Sequence, residues 1–337
     1  MRLNSLFATA ALACAALCAA CGGDPLSLEQ RSRAALPTKD TVAVSNPNSA
    51  AKALRASTGA GAFTEGEQDS TAGDASSWYK TTYAMGTSVN GAVIWTLGLI
   101  KAVTDLPPTT CTTDTCTWGP GSGALDPADW EVVVRYDAAK DEYGYALLGR
   151  AKSGGDGQFH AVVEGVAKPS LLPHRGSGTF QVDFDAGKLI NPSSTDQGKL
   201  QVNYSNATPS QGHIDALFLG VRDGDHPDQK LNAAYGFDED TSGGGSLEIA
   251  FRNLTSADTV ALHSRWKATG AGRSDVGVLI HGNAGATFTA SLSECWGAPP
   301  FKVTYFTSTD PHDLGPDSGN AADCAFADAK PASKTAP

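Results

Sequence analysis

The 337-residue chain carries 25 Lys and Arg against 36 Asp and Glu, a formal net charge of −11, with no basic run anywhere. Nucleic acid is a poor partner for such a surface, and the acidic balance reads as solubility rather than as a binding code. The chain has no Walker loop, no dinucleotide fingerprint and no Gly-x-Ser-x-Gly elbow, so nucleotide and serine-nucleophile chemistry have no anchor in it.

Arg2, the apolar stretch Leu6 to Leu17 and the small pair Ala19-Ala20 before Cys21 read as a secretory leader. Small residues before a cysteine resemble the end of a bacterial lipoprotein signal peptide. The resemblance implies a leader over residues 1–20, a lipidated Cys21 and a membrane partner through that anchor. Gly22, rather than Asp, follows the cysteine, which by the same resemblance implies the outer membrane, facing the periplasm or the cell surface. The usual lipobox leucine is displaced: Cys18 stands three residues before Cys21 and Leu17 one further back, so simple cleavage without lipid is the alternative. Arg2 is the leader's one charge, so its removal takes the net charge from −11 to −12.

Residues 21–73, rich in Ala, Ser, Thr, Gly and Asn, read as a flexible tether. Residues 74–324 then form a single β-rich domain, followed by a disordered tail over 325–337. The spacing of Val89, Val93, Leu97, Ile100 and Val103 predicts a helix over 77–105, capped by Ser76-Ser77 and stopped by Pro107-Pro108. Its stretch Ala92 to Ile100 is apolar nearly all the way round, which predicts a buried helix. At nine residues that stretch is about half of a bilayer span.

From Trp130 the period changes to two, with turn residues between nearly every pair of segments. Trp130, Val132, Val134 and Tyr136 alternate with Glu131, Val133, Arg135 and Asp137; Phe180, Val182 and Phe184 alternate with Gln181, Asp183 and Asp185; Leu200, Val202 and Tyr204 alternate with Lys199, Gln201 and Asn203. Similar segments follow near 143–152, 157–168, 212–221, 230–238, 246–254, 259–269, 275–281, 286–296 and 301–308. The fold class is therefore mainly β, a large antiparallel meander of about twelve strands joined by hairpins. So many twisted strands are expected to close into a barrel with the N-terminal helix buried as its plug. A two-sheet sandwich with a flanking helix is the alternative, and a transmembrane barrel with a polar lumen a lower one.

Four cysteines remain beyond Cys21: Cys111, Cys116, Cys295 and Cys324. An even number in an exported chain predicts two disulfides. Of three possible pairings, Cys111 with Cys116 and Cys295 with Cys324 needs no long-range assumption. The histidines are scattered, although His213 with Asp215 and His160 with Glu164 are spaced to share strand faces. Asp223, Asp225 and Asp228, around Gly224-Asp225-His226-Pro227, are the candidate metal ligands, with Ca2+ the cation that alternate carboxylates on a turn would suit. The bland reading is that turns attract Asp and Gly for backbone reasons. Asp183 and Asp185 form a candidate carboxylate pair. No residue presents itself as catalytic.

Three clusters stand out: Pro107-Pro108-Thr109 followed by Trp118-Gly119-Pro120; Gly272-Arg273-Ser274-Asp275, expected as a salt-bridged turn; and Glu294-Cys295-Trp296, expected as a buried aromatic against a bridge. Their spacing resembles that of uncharacterised lipoproteins of the myxobacterial type, in which a helix ending in Pro-Pro-Thr precedes a Trp-Gly-Pro loop and a long β meander. That resemblance implies no activity. The functional expectation is a lipid-anchored envelope scaffold or binding domain for another envelope component. A carrier of a lipid or other apolar ligand inside the barrel is the alternative, and an unrecognised hydrolase a lower one.

Overall fold

A computed structural model describes residues 26–42, 47, 71–123, 126–153, 157–170, 175–208, 211–222, 228–240, 242–281 and 287–337. Fifteen strands form one antiparallel sheet in which each strand pairs with the one before it in sequence. They are β1 (Thr110–Cys111), β2 (Thr115–Gly121), β3 (Ala128–Asp137), β4 (Glu142–Ala151), β5 (His160–Pro169), β6 (Gly176–Asp183), β7 (Lys199–Thr208), β8 (Gln211–Arg222), β9 (Lys230–Glu239), β10 (Gly245–Asn253), β11 (Thr259–Trp266), β12 (Gly272–His281), β13 (Thr287–Trp296), β14 (Val303–Ser308) and β15 (Ser318–Gly319). The helices are α1 (Leu28–Ala35), α2 (Lys39–Val42), α3 (Ser77–Thr104), α4 (Phe184–Ile190) and α5 (Pro311–Leu314).

The alternation marks β3 to β14 and misses β1, β2 and β15 at the ends. The expected barrel is not formed: β1 pairs only with β2 and β15 only with β14, so the sheet stays an open meander. With one sheet among the described residues, the sandwich is not formed there either. Two-residue edge strands offer too few backbone groups to make a closing ladder, which is also how natural sheets blunt their edges. Instead α3 contacts β2 and β3 near one end of the sheet and β12 near the other, and Ala75 bridges Lys302 beside β14. The sheet therefore curls around its own helix.

Helix α3 matches its predicted bounds, with Ser76 as N-cap accepting from the Tyr79 amide. Trp78, Tyr79, Met85, Val93, Leu97 and Ile100 are buried, whereas Gly98, Lys101 and Ala102 face solvent. Among the helix positions whose burial is described, the buried ones form one stripe. Glu294, wholly buried on β13, accepts from the Ser76 hydroxyl and from the Trp78 amide at 3.1 Å. A carboxylate at this end offsets the unpaired N–H groups and the positive pole of the helix. One turn on, the Thr82 hydroxyl lies 2.6 Å from Ser264 on β11, which lies 2.6 Å from Ser274 on β12.

Residues 26–42, which composition places in the tether, form α1 and α2. Ser27 and Gln30 make a reciprocal capping box, and Ala35, Leu36 and Val42 are buried. Helix α1 lies against β2, β3 and β5, and α2 against β7 and α3, so the apolar side of the first half of the sheet is covered as well. Strand β6 ends two residues earlier than its alternation predicts. Asp183 caps α4 by accepting from the Ala186 amide, which turns Phe184 and Asp185 into the first residues of a helix.

On the covered face, five aromatics each lie directly across from a glycine of the neighbouring strand: Trp130 and Gly149, Tyr145 and Gly165, Tyr204 and Gly178, Trp266 and Gly245, Trp296 and Gly272. The rings occupy the space of the missing side chains. A Cβ on Gly165 would stand 2.5 Å from the Tyr145 ring and 2.6 Å from the Thr179 carbonyl oxygen. Such pairs let a bulky ring lie flat on the strand beside it, restoring apolar cover where glycine leaves backbone bare. Gly165→Ala is therefore expected to lower the unfolding free energy by about 1–3 kcal/mol, because the clash involves backbone as well as ring. Urea unfolding monitored by far-ultraviolet circular dichroism reads the shift.

Candidate functional site

Both disulfides form with the local pairing, Cys111 to Cys116 across the β1–β2 hairpin and Cys295 on β13 to Cys324. The second is the start of the most polar arrangement in the molecule. Period two sends Cys295 and Ser293 of β13, Arg273 and Asp275 of β12, His263 and Arg265 of β11, Glu248 of β10 and Asp215 of β8 to the face away from α3. Because the strands are neighbours in order, these side chains form a row across the sheet.

Residues 325–337, expected as a disordered tail, lie along this row. Arg273 donates to the carbonyls of Phe326 at 3.3 Å and Ala327 at 2.9 Å, and Arg265 to that of Asp328 at 2.6 Å. The His263 Nδ1–H donates to the Lys330 carbonyl at 2.8 Å, and the Lys330 amide donates to Asp275 at 2.9 Å. Further along, Glu248 accepts from the Ser333 amide and hydroxyl, both at 2.7 Å, and from the Lys334 amide at 3.1 Å. The Lys334 ammonium pairs with Asp215, and Asn232 donates to the Pro337 carbonyl at 2.8 Å. From β13 to β8 is five inter-strand steps, roughly 24 Å at about 4.8 Å each. The ten residues from Cys324 to Lys334 span about 33 Å when extended, so one nearly straight segment covers the row.

The segment explains burial that the sheet alone would not provide. Arg273 and Asp275 are each 4 % exposed and His263 is 1 % exposed. Charges in such places need partners. Asp275 receives Arg273 at 2.8 Å, Ser293 at 2.7 Å and Arg265 at 3.1 Å before it receives the Lys330 amide. Phe326 lies beneath the Arg265 guanidinium, 5.0 Å from its ring centre, with the Lys267 ammonium 5.6 Å away. Gly236 on β9 leaves room for Lys334, whose Cε would be 2.5 Å from any Cβ there.

Other predicted site residues are placed as follows. Arg273 and Asp275 are a same-face pair on a strand rather than a turn. Trp296 points to the face opposite the disulfide, donating its indole N–H to Gly270 at 2.9 Å and meeting Tyr79 edge-on. His213 and Asp215 do meet, at 3.3 Å, with Asp238 2.6 Å from the other ring nitrogen. Partial burial works against charge on His213, but Asp238 and then Asp215 outweigh it and raise its pKa. His160 and Glu164 are separated. A bulge between Leu147 and Leu148 leaves Val162 without a register partner, so His160 lies across from Gly149 and Glu164 across from Ala146, on opposite faces. Asp183 is taken up by the α4 cap and by Lys199 at 2.8 Å, and Asp185 accepts from the Gly198 amide. Asp223 and Asp225 lie outside the described residues, as does Cys21, and of the three candidate calcium ligands only Asp228 is described. No group of three or more metal-ligating side chains is assembled among the described residues.

What the row does chemically is recognise backbone. Cationic donors meet carbonyls, and carboxylates meet amides, so the surface is suited to an extended peptide whatever most of its side chains are. Composition could not show this, because Ala-rich residues 325–337 carry no periodic signal. Only strand order places residues 60 positions apart, such as Asp215 and Asp275, under one segment.

The segment's grip is pH-dependent. Burial works against the charged form of Glu248, but the Ser333 hydroxyl and amide outweigh it and hold its pKa below the ordinary glutamate value. Burial also lowers the pKa of His263, which keeps the ring neutral at pH 7. A depressed carboxylate contributes stability above its unfolded pKa and loses it as pH falls through the folded one, and protonating a buried, depressed histidine acts in the same direction. Acidification is therefore expected to loosen the segment. The Ser333 and Lys334 amide proton shifts should titrate below the usual glutamate range, and in Glu248→Gln that step should vanish.

No protein-family model matches the chain, and neither a curated protein nor a solved structure does.

Proposed function

We propose that the chain is a lipid-anchored cell-envelope protein, held at the outer membrane through Cys21, whose β domain is a non-enzymatic scaffold that binds another envelope component. The observation that carries this reading is that the apolar side of the sheet is occupied by the chain's own α1, α2 and α3 together with the five ring-on-glycine pairs. A carrier needs that space for its passenger. The narrow gap between the α1–α2 segment and Tyr204 holds only about 10 Å³, no more than one water. The larger hollows, about 500 Å³ by Val133, Ala146 and Val166 and about 490 Å³ by Ala261 and Leu279, are shallow dishes on the opposite, outer face.

The polar character of that outer face supports presentation to water rather than to lipid. Arg135, Glu164, Gln181, Gln201 and Asn203 stand where a transmembrane barrel would carry its apolar band. No helix among the described residues is long and apolar enough to cross a membrane. Two disulfides fit an oxidising compartment. The carrier reading keeps one observation in its favour: the buried hydroxyls of Tyr145 and Tyr235 have no hydrogen-bond partner among the described residues, and a polar-headed passenger would supply one.

Native mass spectrometry of residues 22–337, expressed without lipid in an oxidising compartment, separates the two. The scaffold reading expects the mass of the polypeptide with two disulfides and nothing extractable into organic solvent. A stoichiometric apolar passenger would make the carrier reading the correct one. For the anchor, metabolic labelling of the full precursor with a palmitate analogue is expected to mark the wild type, and Cys21→Ser should lose both the label and the membrane fraction.

A further inference from the structure

We infer that the outer-face row from β8 to β13 is a binding groove for an extended peptide of another polypeptide, and that residues 325–337 are its resident, self-inhibiting occupant. This deepens the reading of the domain as a binding module and rests on it.

Three features of the contact point to an exchangeable ligand rather than to a sixteenth strand. First, the segment runs across the strands, so it makes no ladder with any of them; of its ten described hydrogen bonds and ion pairs to the sheet, every one uses a side chain of the sheet. Secondly, the row satisfies peptide groups in both directions, with Arg273, Arg265 and His263 donating to carbonyls and Asp275 and Glu248 accepting from amides, which is how proteins hold main chain irrespective of most side chains. Thirdly, residues 325–337 contain no cysteine, so no disulfide ties them to the sheet, and their one large apolar side chain is Phe326.

The occupant itself defines the chemistry of the ligand: an extended peptide of mostly small residues with an adjacent hydroxyl and cation. Ser333 satisfies Glu248 while Lys334 reaches Asp215 over Gly236. Without such a peptide Arg273 and Asp275 would keep their bonds to each other, to Arg265 and to Ser293, but the row would face solvent and lose the bonds that Arg273, His263 and Asp275 make to the peptide backbone. Tethering through the Cys295–Cys324 bridge gives the segment an effective concentration in the millimolar range, so a free peptide competes only when it binds better or is itself held nearby.

The test keeps the whole chain. A protease site inserted after Cys324 allows the folded protein to be cut with both disulfides intact, and the probe is a fluorescein-labelled synthetic peptide of residues 325–337. Cut protein is expected to release its segment and to bind the probe one-to-one by fluorescence anisotropy, with the uncut chain binding roughly tenfold more weakly or worse. A probe carrying Ser333→Ala and Lys334→Ala, or cut protein carrying Glu248→Gln, should each weaken binding by roughly tenfold, the loss of a charge-assisted hydrogen bond. Emptied protein that stays folded but takes up no probe overturns the proposal, as does equal binding by cut and uncut chains. Concentration-dependent dimers that exchange the segment between copies would also overturn it, in favour of self-association. Should the insertion prevent folding, amide hydrogen exchange on the unaltered chain decides: the segment must open far more often than strands β8 to β13, and equal protection would make it a fixed part of the fold. None of these failures touches the absence or presence of an apolar passenger, which tests the parent reading separately.

Discussion

The single sheet of fifteen strands has one apolar face and, among the described residues, no second sheet to cover it, so everything depends on the helix that the chain supplies for that purpose. Glu294 holds that helix in place. Its carboxylate, buried on β13, receives the cap hydroxyl and an amide of the first turn of α3, and the Thr82, Ser264 and Ser274 hydroxyls repeat the tie one turn later. Polar contacts of this kind fix register and direction where apolar packing alone would tolerate sliding. With the start of α3 pinned to β11–β13, its remaining length reaches β2 and β3, and the two ends of the sheet are brought to one element without being hydrogen-bonded to each other.

The same three strands are tied on their other face. Arg273, Asp275, His263 and Arg265 lie one position away from Ser274 and Ser264, and they are covered by residues 325–330 instead of by a helix. Strands β11 to β13 are thus the part of the sheet with buried polar side chains on both sides. This is where an alternating pattern reads poorly: each face carries charges and hydroxyls, and neither looks simply wet or simply apolar. The remaining half of the sheet follows the simpler rule, with helices and aromatics on one face and Gln, Asn, Glu and Arg on the other.

The ring-on-glycine pairs connect curvature to covering. A glycine in a strand weakens it unless something fills its place, and here the filler is always the residue directly opposite. That arrangement repeats on β3–β4, β4–β5, β6–β7, β10–β11 and β12–β13, so it is distributed over the whole sheet rather than concentrated at one bend.

Alternation alone determined twelve of the strands and the meander that joins them, and the 3.6-residue spacing with its Ser cap and Pro-Pro stop determined α3 almost to the residue, because these signals are local. The capping box Ser27-Leu28-Glu29-Gln30 was equally local and marks α1 inside a stretch whose composition reads as tether. Tertiary structure decided the rest. Whether the sheet closes depends on the edge strands meeting, which no local pattern encodes, and two-residue edges beside a bridging helix left it open. Whether Asp183 belongs to a carboxylate pair or to a helix cap depends on the turn that follows it, and whether His160 and Glu164 share a face depends on one bulge. The groove is the extreme case: its residues come from six strands and its occupant from a segment without periodicity, so only the order of strands in space brings them together.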